Sequence, residues 1–368
     1  VSVESLTTTL KAGLDSPICL TWELTYACNL QCVHCLSSSG RRDPRELTTE
    51  QVFDVIDELA EMQVFYVNLG GGEPMVRRDF FDILERAVAR GIGVKFSTNG
   101  TFVDAAAATR LARMDYLDVQ VSLDGADAET NDRVRGEGSW DSAMAAISNL
   151  HAAGFEGFKI SVVVTRDNVS QLDAFESIAD AHGAQLRVTR LRPSGRGVDS
   201  WHQLHPTQAQ QRELHAWLLA RGEKVLTGDS FFHLNALGAS LPGLNLCGAG
   251  RVVCLIDPLG DVYACPFVIH ERFLAGNVLD AGFAAVWRDS ELFRSLREPQ
   301  SAGACASCGS YDACQGGCMA AKFFTGLPLD GPDPECVIGN GEPLVGAVPV
   351  SLVPKPLGDH SRRPVGLR

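Results

Sequence analysis

From Ile18 to Leu191 short apolar runs alternate with longer amphipathic stretches. The runs Ile18–Leu24, Val64–Leu69, Val94–Ser97, Leu117–Leu123, Lys159–Val164 and Leu186–Leu191 have the length and composition of strands. Between them the spacing turns helical. Thr48 stands three residues before Gln51 as a capping box, and Val52, Val55, Ile56, Leu59 and Met62 then recur on one face. Another helix opens at Asn168, buries Leu172, Phe175 and Ile178, and ends near Gly183 as a left-handed cap. Six strand–helix units in series predict an α/β fold whose parallel sheet is curved or closed into a partial barrel. Such sheets present ligands at the carboxyl ends of their strands. The irregular sequences fall at those ends: cysteines after the first strand, Gly70–Pro74 after the second, Ser97–Gly100 after the third, Ser122–Gly125 after the fourth. Four loops on one rim predict a single site.

After about residue 200 the pattern weakens. Pro206–Leu219 reads as a helix, and Gly-rich sequence bridges to Asn245. The stretch from Cys247 to Cys336 has few periodic segments and many turn residues, which predicts dependence on bound metal. The Pro-, Gly- and Arg-rich end reads as a flexible tail. The expected divisions are an N-terminal segment 1–16, a barrel 17–200, a bridge 201–244, a cysteine-rich domain 245–340 and a tail 341–368.

Composition narrows the class. A chain of 368 residues exceeds one ordinary core, and a formal charge of −13 argues against a nucleic-acid or anionic-membrane partner. No apolar run approaches the roughly 20 residues that span a bilayer, and Val1–Ser16 lacks the basic start and apolar centre of a signal peptide. A cytoplasmic location is expected. Thiols there stay reduced, so twelve cysteines point to metal or catalysis rather than disulfides. Four lie before residue 36, none between 36 and 246, and eight from 247 to 336, as for two metal-bearing regions on one scaffold.

Cys28, Cys32 and Cys35 form a C-x3-C-x2-C triplet. Three thiolates on a short loop can hold three irons of a four-iron cluster and leave the fourth open to a chelating ligand. A zinc site completed by His34, or a redox thiol pair, is the alternative. Cys305, Cys308, Cys314 and Cys318 give C-x2-C-x5-C-x3-C, with Cys336 beyond and Cys247, Cys254 and Cys265 upstream. Structural zinc is the alternative there too. Cys19, in an apolar run, reads as a core residue.

The triplet at the end of the first strand resembles the radical S-adenosylmethionine (SAM) superfamily, whose fold is a partial (β/α)6 barrel. The resemblance implies that SAM chelates the open iron and is cleaved to a 5′-deoxyadenosyl radical. Gly71, Gly72 and Glu73 match the family's motif for the SAM ammonium, which needs close backbone approach and acceptor oxygens. Ser97, Asn99 and Ser122 resemble ribose-contacting positions. His34 stands where the family places a group near the adenine, with a solvent-facing histidine as the alternative. Arg135 is the candidate for the SAM carboxylate, with a plain surface salt bridge as the alternative. The second group resembles the SPASM extension of peptide-modifying relatives. That resemblance implies one auxiliary cluster on Cys247, Cys254, Cys265 and Cys318 and another on Cys305, Cys308, Cys314 and Cys336, for three 4Fe-4S clusters in all.

Longer stretches, among them PICLTWELTYACNLQCVHCLSSSG, RLRPSGRG and CGAGRVVCLIDPLGDVYACPF, are similar to the mycofactocin-system radical SAM maturases. This implies a ribosomal precursor peptide ending Val-Tyr. Its terminal tyrosine would be oxidatively decarboxylated, and the valine side chain then joined to the new terminus in a lactam. It also implies an electron donor. Many relatives carry an N-terminal peptide-recognition domain of about eighty residues; roughly sixteen precede the first strand here, so a separate small chaperone is expected. The rival readings are another SPASM-type maturase (a thioether cyclase or a formylglycine-generating sulfatase maturase) and a non-catalytic metal scaffold.

Overall fold

The computed structural model describes residues 9–227, 231–242 and 246–339. The expected tail and the first half of the N-terminal segment lie outside the described residues. Six parallel strands form the barrel: β1 (Cys19–Glu23), β2 (Tyr66–Gly70), β3 (Gly93–Thr98), β4 (Leu117–Ser122), β5 (Lys159–Val164) and β6 (Gln185–Arg190). Each agrees with its expected run to within two residues. The sheet order is β6-β5-β4-β3-β2-β1, so β6 and β1 do not pair and the barrel is open.

The helix after β1 spans Thr49–Glu61 with both arms of the Thr48–Gln51 capping box formed. The helix before β6 runs from Leu172 to Ala181, and Gly183 follows in the left-handed region at φ 65°. The expected bridge helix spans Gln208–Arg221.

The two-residue period of the strands sorts side chains to two environments. Leu20, Trp22, Val67, Val94, Phe96, Val119 and Ile160 belong to the core. The alternate positions Thr21, Asn68, Lys95, Gln120, Ser161 and Thr189 line the lumen. Cys19 follows the lumen set: it is partly exposed and lines the cavity, not the core position its apolar run suggested. Its neighbour Leu20 is the residue turned to the core.

The sheet continues past β1. A strand β7 (Val253–Ile256) pairs parallel to it, from Cys19↔Val253 to Trp22↔Ile256, and β8 (Asp261–Tyr263) and β9 (Leu274–Asn277) follow antiparallel. The cysteine-rich part therefore holds more regular structure than its composition suggests, adding helices Phe283–Asp289 and Glu291–Arg297. From residue 298 to 339 the chain is mostly turns with short helices, as the turn-rich sequence predicts. No helix among the described residues is long and apolar enough to cross a membrane.

Candidate functional site

The strand ends surround a cavity of about 360 Å³. Cys28, Cys32 and Cys35 all line it, with Gly71, Gly72, Ser97, Asn99, Ser122, Arg135 and His34. The structure thus brings the sequence-predicted residues of the rim together, with Glu73 apart from the lining.

The cysteine loop is held by backbone on two sides. Cys28 N–H donates to Gly40 O at 3.0 Å, and Gly40 N–H to Tyr26 O at 2.8 Å. On the other side Gly72 N–H donates to Thr25 O and Glu73 N–H to Ala27 O. A Cβ on Gly72 would lie 2.0 Å from Ala27 O, and one on Gly71 2.5 Å from Thr25 O, so both glycines are required by this contact alone.

Glu73 is wholly buried. Its carboxylate accepts from Thr98 Oγ1 at 3.0 Å, Asn99 N–H at 2.8 Å and Met75 N–H at 3.2 Å. Burial raises its pKa to about 7, and those three donors hold it from going higher. The side chain ties β2 to β3 and orients Asn99, whose amide donates to Asn29 Oδ1 at 2.8 Å and lies 4.0 Å from Cys28 Sγ.

Beside Cys32 sits a buried charged network. Asp124 pairs with His34 Nε2 at 2.9 Å and with Arg135 Nε at 2.7 Å, and accepts from Val163 N–H at 2.7 Å. Burial opposes its ionisation, but Arg135 and His34 outweigh that and hold its pKa at about 2. His34 is therefore neither exposed nor idle, and Arg135 is a buried partner of Asp124, not a surface cation. The Arg135 carbonyl lies 3.9 Å from Cys32 Sγ.

Sequence reasoning missed Asp124, Gly195 and Arg196. Arg196 donates to Cys32 O at 2.9 Å and Ser39 O at 2.7 Å, closing the cysteine loop from the β6 side. Gly195, at φ 56°, leaves no room for a Cβ, which would meet Cys35 O at 2.3 Å. The signal available was the turn-rich RPSGRG run after β6.

Of the second group, Cys247, Cys265 and Cys318 open onto the same cavity. Cys254 does not join them in that lining. It is fully buried on the core-facing side of β7, in register with Leu20 of β1. Cys305, Cys308, Cys314 and Cys336 line a separate cavity of about 300 Å³ with His233 and Asp333. Burial raises the Cys28 thiol to about 11 and pushes the Cys247 and Cys265 thiols up, so a cation is needed to keep them as thiolates. Among the described residues no three His, Cys, Asp or Glu side chains sit close enough to share one metal ion. The thiols converge on cavities instead, and that donor set suits a cubane cluster, whose body is larger than a single ion.

Between the two thiol groups Arg190, at the end of β6, pairs with both Asp333 and Glu335; Arg190 Nη1 lies 2.9 Å from Asp333 Oδ2. Asp333 also accepts from Cys318 N–H at 2.7 Å, and Glu335 from Gln211 Nε2 at 2.6 Å. Burial favours neutral carboxyls here. Arg190 reverses that for Asp333, held well below the usual range, while Glu335, with the Asp333 charge beside it, sits at about 7.

Residues 22–178 match the Radical SAM superfamily, and residues 247–309 match an iron-sulfur cluster-binding domain, SPASM. The chain is 68% identical over 363 residues to mycofactocin maturase MftC of Mycolicibacterium smegmatis, covering 98% of this chain and 92% of that protein. It is 68% identical over 353 residues to MftC of Mycobacterium tuberculosis, covering 95% and 90%. Among solved structures, Streptococcus suis SuiB bound to its precursor peptide SuiA superposes with a TM-score of 0.72 at 18% identity, covering 89% of this chain and 77% of that one.

Proposed function

The chain belongs to the mycofactocin maturases of the radical SAM superfamily, and from that premise we propose that it acts on a ribosomal peptide ending Val-Tyr. The tyrosine residue loses CO2 and two hydrogens to leave an unsaturated tyramine-like terminus. A second SAM-dependent turnover joins the valine side chain to that terminus and closes a lactam. SAM and iron–sulfur clusters, bound, supply a 5′-deoxyadenosyl radical and a sink for the electron that decarboxylation releases.

We assign the catalytic cluster to Cys28, Cys32 and Cys35, leaving one iron for SAM. Gly71, Gly72, Ser97, Asn99, Ser122 and Arg135 are assigned to SAM itself. Glu73 and His34 act from behind, Glu73 by orienting Asn99 and His34 through Asp124. Two auxiliary clusters, for three in all, are assigned to the second group, one at Cys247, Cys265 and Cys318 and the other at Cys305, Cys308, Cys314 and Cys336; Cys254, implied as a fourth ligand of the first, faces the core instead. A separate peptide-recognition chaperone and an electron donor complete the system.

The observation that carries this reading is that thiols of both groups open onto one cavity. A substrate radical formed there lies within reach of an acceptor on the opposite wall. The test is anaerobic incubation of the loaded protein with SAM, reductant, chaperone and peptide, read by mass spectrometry. A peptide lighter by CO2 and two hydrogens is expected. Formation of 5′-deoxyadenosine with the peptide unchanged would sink the proposal, and a thioether or formylglycine product would replace it.

A further inference from the structure

The cavity's charge is unlike that of the chain. The protein carries a formal charge of −13, yet Lys95, Arg135, Arg187, Arg190, Arg192 and Arg196 line the cavity, and no Asp or Glu among the described residues does. Three of these cations are already committed: Arg135 to Asp124, Arg190 to Asp333 and Glu335, Arg196 to the carbonyls of the cysteine loop.

Arg192 is different. It is only 6% exposed, and its Nε has no hydrogen-bond partner among the described residues. Among the described residues its one hydrogen bond is a long one, from Nη1 to Arg190 O at 3.5 Å. The guanidinium lies over the Phe267 ring, 3.8 Å from its centroid. The ring contact holds the guanidinium at the cavity wall with Nε unpaired among the described residues, a donor that suits a carboxylate. Ser194, two residues on and 2% exposed, also lines the cavity and has a buried hydroxyl without a partner among the described residues. Leaving such donors unpaired costs free energy, so the site is complete only with an anionic ligand bound.

We propose that Arg192, helped by Ser194, anchors the C-terminal carboxylate of the substrate peptide. This rests on the peptide reading above. Position separates this carboxylate from that of SAM. Arg135 stands at Cys32, in the triplet loop, whereas Arg192 leans on Phe267, two residues after Cys265, on the wall built by the second cysteine group. A chain end held there puts its last residue between the two groups of thiols. Recognition of the free end explains how an enzyme that removes a terminal carboxyl tells the last residue from internal ones.

The test is competition binding to anaerobically loaded holoenzyme with SAM present, using a synthetic peptide ending Val-Tyr as free acid or as C-terminal amide. The wild type is expected to prefer the acid by about ten- to a hundredfold, the span of one charge-assisted hydrogen bond. Arg192→Gln should drop the acid to the level of the amide while iron content and SAM affinity stay unchanged. Arg192→Lys and Ser194→Ala should each shrink the preference in part, and they carry the test should Arg192→Gln fail to fold. An acid preference that survives all three substitutions overturns the proposal, as does a wild type indifferent to the amide. A fall in SAM affinity in Arg192→Gln, with acid preference intact, would give this arginine to the SAM carboxylate instead. Should the wild type fail to decarboxylate the acid peptide, the peptide reading itself is wrong; normal turnover with an unaltered preference in the variants sinks the anchor alone.

Discussion

Replacing Arg190 by Met tests what holds the barrel to the cysteine-rich region. The arginine is buried, and it is paired with two buried carboxylates, one of which also fixes the amide of Cys318. Removing one partner of a buried ion pair leaves an uncompensated charge and costs about 3–5 kcal/mol. The cost must depend on pH. Asp333 is held below its ordinary value of 3.8, so the stability it gains from Arg190 is present above that pH and lost as pH falls through the folded value. Glu335 has the opposite sign: at about 7 it already favours folding less as pH rises through neutrality, and loss of Arg190 pushes it higher still. The penalty of the variant should therefore be smallest near pH 5, where both carboxyls can take up protons, and largest near pH 8. Anaerobic urea unfolding followed by circular dichroism at the two pH values measures it, with iron content assayed alongside. In a background where Asp333→Asn and Glu335→Gln remove both charges, Arg190→Met should cost far less. A penalty under about 1 kcal/mol, or one equal at pH 5 and pH 8, would refute the reasoning.

Replacing Cys28, Cys32 and Cys35 together by Ala should lower iron from about twelve to about eight per chain and abolish SAM cleavage; continued 5′-deoxyadenosine formation would refute the assignment. Glu73→Ala should keep its iron but bind SAM more weakly, since Asn99 loses its support, and unfold at lower temperature, because three buried donors lose their acceptor; unchanged SAM affinity on intact clusters would leave the residue a purely structural tie. Cys336→Ala, once circular dichroism and SAM binding are found intact, should still form 5′-deoxyadenosine while decarboxylated peptide drops sharply, and normal turnover would make that cluster structural.

Much of the fold was legible because strand and helix periods are local. The barrel strands, the Thr48 capping box and the convergence of four loops on one rim all follow from spacing within ten residues or so. What was hidden depends on contacts between distant segments. Glu73 looks like a ligand-facing acid in its own loop, but Asn99 N–H, 26 residues on, draws it inward. Asp124 carries no local sign of importance, and it matters because His34 and Arg135 meet on it. Spacing ran Cys305, Cys308, Cys314 and Cys318 together; it was the SPASM resemblance that implied Cys336 in place of Cys318, and the second cavity is lined by Cys305, Cys308, Cys314 and Cys336. Spacing alone could not tell which face of β7 Cys254 would take, since a strand sends neighbouring side chains to opposite sides.

The pairing of β7 with β1 makes the distance between the two thiol groups a property of hydrogen-bond register. Cys28 follows β1 by five residues, and Cys247 precedes β7 by six. Four matched residue pairs, from Cys19↔Val253 to Trp22↔Ile256, lock one to the other like marks on a shared ruler. Two domains joined by a hinge could trade separation for motion. Here a change of one step would slide the groups by about 3.3 Å and turn every side chain of the strand to the wrong face. The separation that the proposed electron transfer would have to cross is thereby a matter of sheet register rather than of domain motion.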